Sequence, residues 1–502
     1  MGRRVTDPQN GLKNRTVNAL KWSYLSLALT VTLGPLFTAL LARLLTREQF
    51  GLYAIGQLLY ALGLFVADFG IGQALVQKRE LTEEDIRAGF TSSVVLGLLV
   101  TALAWAAAPL AGHFYHNPAV VPMFRGFACL YVLATLTTVS MSLLRRTLKF
   151  KPIMVAEVSA FVIGQGVFGL GAAYLGFGAF SLVISVAAQF SIQLIVTYLS
   201  ARHPFRFTFN PASYRALYAF GSRASLANFL EFASANLDIF LVGRLYNVAT
   251  LGVYNRAYNA VSAPLGNLGR GLTRVLTPSF SAVQREQPKL RRAYLSGLLV
   301  LCMVLFSIAA AVFVSAREIV LVLLGAKFAA AIPIMQIFAL FVPFQIIPSL
   351  TGSLVEATAR LHVKIGIQLG SIILLAATYW LVHHLGWSIV AFAGARTIVG
   401  VVRAAVYSLA ARRILGGGGR DMLRAYGVGL LYAGLMAAVV SAVVRPLRAL
   451  GTSPFALFAL ELALGGALLA LGLLFGPPNE LQSVMRKALR AVAGRTRSRK
   501  TT

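Results

Sequence analysis

Leu41-Ala42-Arg43-Leu44, followed by Phe50-Gly51-Leu52-Tyr53, returns further along the chain as Val242-Gly243-Arg244-Leu245, followed by Leu251-Gly252-Val253-Tyr254. In both copies Arg precedes Gly by eight residues and Tyr by ten, and the offset between copies (Arg43 to Arg244) is 201 residues. Each copy joins one long apolar run to the next. A membrane-crossing helix needs ~20 apolar residues, and short polar breaks separate such runs all along the chain. The pattern predicts 14 spans, at roughly 23–43, 50–77, 89–112, 120–144, 153–175, 178–200, 216–243, 251–280, 293–315, 329–356, 363–384, 387–411, 424–444 and 455–475. Pro35, Pro264 and Pro343 are the candidate kink sites.

The repeat offset separates span 1 from span 7. Six spans is an even number, so both copies enter the bilayer in the same sense. Parallel repeats related by an axis along the membrane normal are therefore expected, with a substrate path between the lobes. The expected fold is an all-α polytopic membrane protein of two six-helix lobes related by a parallel pseudo-two-fold, with two extra C-terminal helices. The domains read as a leader at 1–21, a first lobe at 22–200, a linker at 201–215 and a second lobe at 216–413. Two additional helices at 414–475 and a basic tail at 476–502 complete the chain.

Composition supports the span reading. Of 502 residues 58% are apolar and 12% charged, against about a quarter charged in a soluble domain. That excludes a soluble multidomain enzyme, a disordered chain and a secreted disulfide scaffold. The 45 glycines suit close packing of membrane helices.

The net charge of +30 is dispersed in short clusters between apolar runs rather than gathered on one face, which argues against a nucleic-acid partner. With both termini inside, inner segments hold roughly 32 of the 46 Lys and Arg residues and outer loops about seven. Lys78 and Arg79, Arg145 and Arg146, Lys149 and Lys151, Arg291 and Arg292, and Arg412 and Arg413 are inner-side examples. This asymmetry fixes an even number of spans. No cleavable signal peptide is expected, because the first apolar run is too long, and the Met1-Gly2-Arg3-Arg4-Val5-Thr6 start reads as a polar leader rather than a lipidation signal. The tail from Arg486 to Lys500 is expected on the anionic inner leaflet.

The loops exclude other chemistries. None exceeds roughly 20 residues, too short for a catalytic domain. There is no GxxxxGK[ST] motif, and the Gly416–Gly419 run is read as a flexible loop lacking the Lys-Ser/Thr of a phosphate cradle. Cys129 and Cys302 have no CxxC spacing, so neither a disulfide nor a metal site is expected, and His383-His384 reads as a solvated loop pair. The outer loops carry almost no Asp or Glu, which argues for moving a substrate rather than transforming it. The chain is expected not to be an enzyme and to need no cofactor, with an H⁺ or Na⁺ gradient as the energy source.

Ionisable groups within spans are costly and are functional candidates by default. In span 8, Arg256, Asn259, Asn267, Arg270 and Arg274 fall within roughly an 80° arc at 100° per residue. Facing an aqueous cavity, that arc is a cationic wall suited to a phosphate or pyrophosphate; the alternative is that Arg256 and Arg274, near opposite ends, snorkel to the headgroups. Span 7 adds Arg223, Asn228, Glu231, Asn236 and Asp238. Glu231 and Asp238 share a face, either as ion-coupling carboxylates or as internal partners of the arginines. Gln57, Tyr60 and Asp68 form a weaker stripe on span 2, with Asp68 a third coupling candidate. Glu157, Glu356, Arg125 and Arg396 read as structural partners.

Several of these segments resemble the Wzx-like oligosaccharide flippases of the multidrug/oligosaccharidyl-lipid/polysaccharide exporter superfamily. The resemblance rests on Ala42-Arg43-Leu44-Leu45-Thr46 leading to Phe50-Gly51-Leu52-Tyr53, and on Asp68-Phe69-Gly70-Ile71-Gly72. It continues in Arg145-Arg146-Thr147-Leu148-Lys149-Phe150 and in Asn236-Leu237-Asp238 with Gly243-Arg244 and Gly252-Val253-Tyr254, spanning roughly 15–415. It implies alternating access around a central cavity and translocation of a polyprenyl-diphosphate-linked oligosaccharide across a bacterial inner membrane. Tyr53, Tyr60, Tyr254 and Tyr258 then become candidate walls for the sugar. Lipid-linked oligosaccharide and membrane lipids are the implied partners, with a polysaccharide polymerase and glycosyltransferases as neighbours. The competing readings are a drug or cation exporter, which would favour an anionic cavity, a peptidoglycan-precursor flippase, and an integral-membrane polymerase.

Overall fold

The computed structural model describes residues 8–475 apart from 69, 79, 205, 285 and 359, and describes side chains except at 8–21, 23–25, 27, 212, 213, 215–228, 264, 267–279, 281, 282, 361 and 475. All regular structure among the described residues is helical. Long helices follow one another as α1 (Pro8–Leu44), α2 (Arg47–Asp68), the short α3 (Ile71–Gln77), α4 (Glu83–Phe114), α5 (Val120–Arg146), α6 (Phe150–Tyr174) and α7 (Phe180–Ala201). Then come α8 (Pro211–Leu245), α9 (Val248–Val283), α10 (Gln287–Val314), α11 (Ala331–Ala357), α12 (Leu361–His384), α13 (Ile389–Ile414), α14 (Gly419–Ala449) and α15 (Pro454–Phe475).

Among the described residues 11 helices are long and apolar enough to cross a membrane, with a shorter apolar segment at Ala28–Leu44. Spans 2 to 6 and 9 to 14 of the sequence reading fall on these. Expected spans 1, 7 and 8 fall on α1, α8 and α9, of 37, 35 and 36 residues. Those helices exceed bilayer thickness at 1.5 Å per residue, and much of each lies outside the residues whose side chains are described. The count of 14 is therefore an expectation rather than an observation. One boundary is corrected outright: 50–77 is not one helix. The chain breaks after Asp68, turns through Gly70 at φ 77°, and restarts as α3. The chain stays helical through Pro35 and Pro343.

The chain divides into two compact units, Met1–Asn255 and Arg256–Thr502. In the first, Tyr60, Met123, Phe124, Phe127 and Tyr131 form the apolar core, with Tyr60 stacked on Tyr131 at 4.8 Å between ring centroids. Tyr60 thus belongs to the core, not to a sugar-facing wall. In the second, α10 packs on α14 and α11 on α13. Tyr379 lies flat on Phe392 at 3.8 Å, and Tyr294 bonds Thr351 at 2.8 Å.

The two copies of the quoted motif meet inside the first unit, and they meet reciprocally. A Cβ on Gly51 would strike the carbonyl of Val248, and a Cβ on Gly252 would strike the carbonyl of Arg47. Adding the repeat offset of 201 to Gly51 and Arg47 gives Gly252 and Val248, so one contact is the image of the other. Only glycine lets helix backbones approach this closely. We expect Gly252→Val to lower stability by about 1–3 kcal/mol through overpacking, read as a lower melting temperature of the purified protein. Gly171→Ala, where an added Cβ meets nothing within 4 Å, should leave it unchanged.

Candidate functional site

The break after Asp68 builds the site. A cavity of about 680 Å³ opens within the first unit, against α2, α3, α5 and α7. Asp68 sits at its α2–α3 corner, its carboxyl facing the Gly70 and Gly72 amides at the start of α3. Its Oδ1 is buried with no hydrogen-bond partner among the described residues. Gln73 and Gln77 of α3, Thr137, Thr138, Ser142 and Arg145 of α5 and Gln193 of α7 supply the other polar side chains. Phe65, Phe190 and Phe232 present ring surface to the same space. A buried polar atom without a partner is costly, and a cavity of this size has room for water or a polar headgroup to satisfy it.

The other candidates are dispersed. Asp238 is fully buried in α8 and accepts a hydrogen bond from the Tyr254 hydroxyl at 2.8 Å. Tyr254, also fully buried, is thereby a partner of Asp238 and not a sugar wall. Glu231, seven residues earlier on the same helix, is exposed, so the two carboxylates do not share one environment. Of the span-2 stripe, Gln57 is exposed, Tyr60 is in the core, and Asp68 alone lines the cavity. Arg256 and Asn259 are half-buried in α9. Arg223, Asn228, Asn267, Arg270 and Arg274 lie outside the residues whose side chains are described.

In the second unit Tyr258 exchanges hydrogen bonds with Gln345, 2.9 Å from its Nε2. Arg396 is buried between the rings of Tyr258 and Phe341, 4.9 and 5.0 Å from their centroids. Arg125 lies over Trp105, Glu157 accepts from Ser26, and Glu356 pairs with Lys364 at 2.9 Å. The sequence reading took these four as structural partners without naming what they meet. Cys129 and Cys302 are both free, His384 stacks on Trp380, and no cluster of metal-ligating groups occurs among the described residues.

Residues 40–333, more than half of the chain, match the family described as polysaccharide biosynthesis protein. The chain belongs to that family. Within reach of this polysaccharide biosynthesis protein is the lipopolysaccharide biosynthesis protein WzxC of Escherichia coli (strain K12), 24% identical over 355 residues that cover 70% of this chain and 72% of that one. The teichuronic acid biosynthesis protein TuaB of Bacillus subtilis (strain 168) is 24% identical over 352 residues, again 70% and 72%. Among solved structures, the lipid II flippase MurJ in an inward closed conformation superposes with a TM-score of 0.68 at 13% identity, covering 91% of this chain and 97% of MurJ. At that identity the likeness shows the fold, an all-helical polytopic membrane protein.

Sequence reasoning missed most of the cavity lining. Gln73 and Gln77 fall one helical turn apart, a periodic signal that was legible; Thr137, Thr138 and Gln193 join Asp68 only through packing. If the buried Tyr254–Asp238 bond stabilises α8 against α9, Tyr254→Phe should cost about 1–3 kcal/mol. Tyr254→Phe and Asp238→Asn should be non-additive by more than about 0.5 kcal/mol in a double-mutant cycle on melting data.

Proposed function

We propose that this polysaccharide biosynthesis protein is a flippase that carries a polyprenyl-diphosphate-linked oligosaccharide repeat unit from the inner to the outer leaflet by alternating access. The observation that carries the reading is the cavity around Asp68. Amides, hydroxyls and aromatic rings are the groups that bind a sugar, and Arg145 can meet a phosphate. A lipid diphosphate cannot cross hydrocarbon unaided, because stripping water from its charge costs many kcal/mol. A wet polar cleft replaces that water while the prenyl tail stays in lipid. The work is movement and involves no covalent step.

The remaining assignments extend this reading. Arg256, Asn259, Asn267, Arg270 and Arg274, with Arg223, form a cationic path for the diphosphate. Asp238, Glu231 and Asp68 couple transport to an H⁺ or Na⁺ gradient, without a cofactor. Two six-helix lobes at 22–200 and 216–413 frame the path, and both termini face the cytoplasm. The Lys and Arg distribution and the motif repeat support this arrangement. A polysaccharide polymerase and glycosyltransferases are the expected neighbours.

Deletion should accumulate the lipid-linked oligosaccharide on the inner leaflet, measured by lipid extraction and leaflet-selective labelling. Arg270→Ala and Arg145→Ala, each at normal protein level, should abolish export. Full export by both variants would overturn the proposal.

A further inference from the structure

A second cavity, of about 840 Å³, lies wholly within the second unit, between α10, α11, α13, α14 and the glycine run that precedes α14. Its two ends differ chemically. One wall is apolar, built from Phe344, Val401, Ala405, Leu409 and Leu423. Leu409 and Leu423 are 56% and 73% exposed, so this wall opens sideways toward the surroundings that a membrane helix gives to acyl chains. The other end carries Arg291, Arg412 and Arg420 against a single acid, Asp421, among the lining residues. Arg291 donates to Asp421 at 3.0 Å, which leaves the end with two net positive charges.

The glycine run is shaped around these arginines. Gly418 stands at φ 90°, and a Cβ there would come within 3.0 Å of the Arg291 Nε. A Cβ on Gly419 would come within 3.3 Å of the Arg412 Cδ and Nε. A side chain at either position would press on these guanidinium arms and force them to give by a few tenths of an ångström. The run read from sequence as a flexible loop is therefore a bed for two arginines.

We propose that this cavity binds an anionic glycerophospholipid, its phosphodiester at Arg412 and Arg420 and its acyl chains along the apolar wall. Charge complementarity selects the occupant. A neutral lipid would leave the excess guanidinium charge unmatched, and a water-soluble anion would leave the apolar wall uncovered. Guanidinium forks match phosphate oxygens, and the Lys and Arg count assigns this end to the leaflet rich in anionic lipid. The site shares no lining residue with the cavity around Asp68 and does not depend on what is transported. A lipid held there braces α14 against α10 and α13.

The test uses delipidated full-length protein in a neutral detergent. Phosphatidylglycerol and phosphatidylcholine of matched chains are titrated in turn, with native mass spectrometry and melting temperature as readouts. Phosphatidylglycerol should bind and raise the melting temperature, and phosphatidylcholine should not. Arg412→Gln with Arg420→Gln should weaken phosphatidylglycerol binding about tenfold or more. Ala405→Trp, which fills the apolar wall and keeps the arginines, should weaken it too. Arg424→Gln, on α14 but outside the cavity lining, should leave it unchanged, and the lipid-free melting temperature reports the folding of each variant. Equal binding of both lipids, wild-type binding by the double variant, or glycerol phosphate binding as tightly as phosphatidylglycerol would each overturn the proposal.

Discussion

Hydrocarbon does not solvate charge, and this constraint governs nearly every polar residue in the chain. A buried ion must find a partner, a ring face or water. Glu318 meets Arg448 through two hydrogen bonds of 2.9 and 2.8 Å. Arg396 lies between two aromatic rings, Arg125 over one, and Asp238 takes a proton donor from Tyr254. Asp68 meets the constraint differently, with the amides at the start of α3 on one side and open space on the other. Where charge is met by a cavity rather than by a fixed partner, something from outside the chain can take the partner's place.

The glycine crossing shows how a repeat is used to build around such a space. Gly51 and Gly252 each accept the other copy's backbone at a distance that no side chain permits. The contact therefore ties the start of α2 to the start of α9 without filling volume. From the tied end, α2 runs its 22 residues to Asp68, where the turn at Gly70 ends it. Close packing at one end of the helix and a polar break at the other leave room for a cavity at the second. The flippase proposed above needs such a space, because its substrate joins a bulky polar head to a lipid.

Much of this was legible in the sequence. Hydropathy located 11 apolar helices among the described residues, and the repeat carries the two glycines of the crossing, though not the crossing itself. Glu356 and Arg396, read as structural partners, meet Lys364 and two aromatic rings. The break in 50–77 was not legible, because a glycine inside a helical pattern is compatible with an uninterrupted helix and only the structure shows Gly70 turned to positive φ. Tyr60 lies on the same helical stripe as Gln57 and Asp68, yet its ring packs against Phe127 and Tyr131 of another helix. Thr137, Thr138 and Gln193 sit among apolar neighbours on helices distant in sequence from Asp68, and only tertiary packing gathers them. Glu461, a lone acid in the very apolar α15, is buried, a placement that local pattern gives no reason to expect.

The claim at the centre of this account is that the space around Asp68 is wet. Single cysteines at Thr138 and Gln193, with Cys129 and Cys302 replaced by serine and alanine, measure this directly in membrane vesicles with the cytoplasmic face outward. Both should react with a membrane-impermeant thiol reagent, while a cysteine at the fully buried Ala160 should not. Protection of both cavity positions until the protein is denatured would contradict the account.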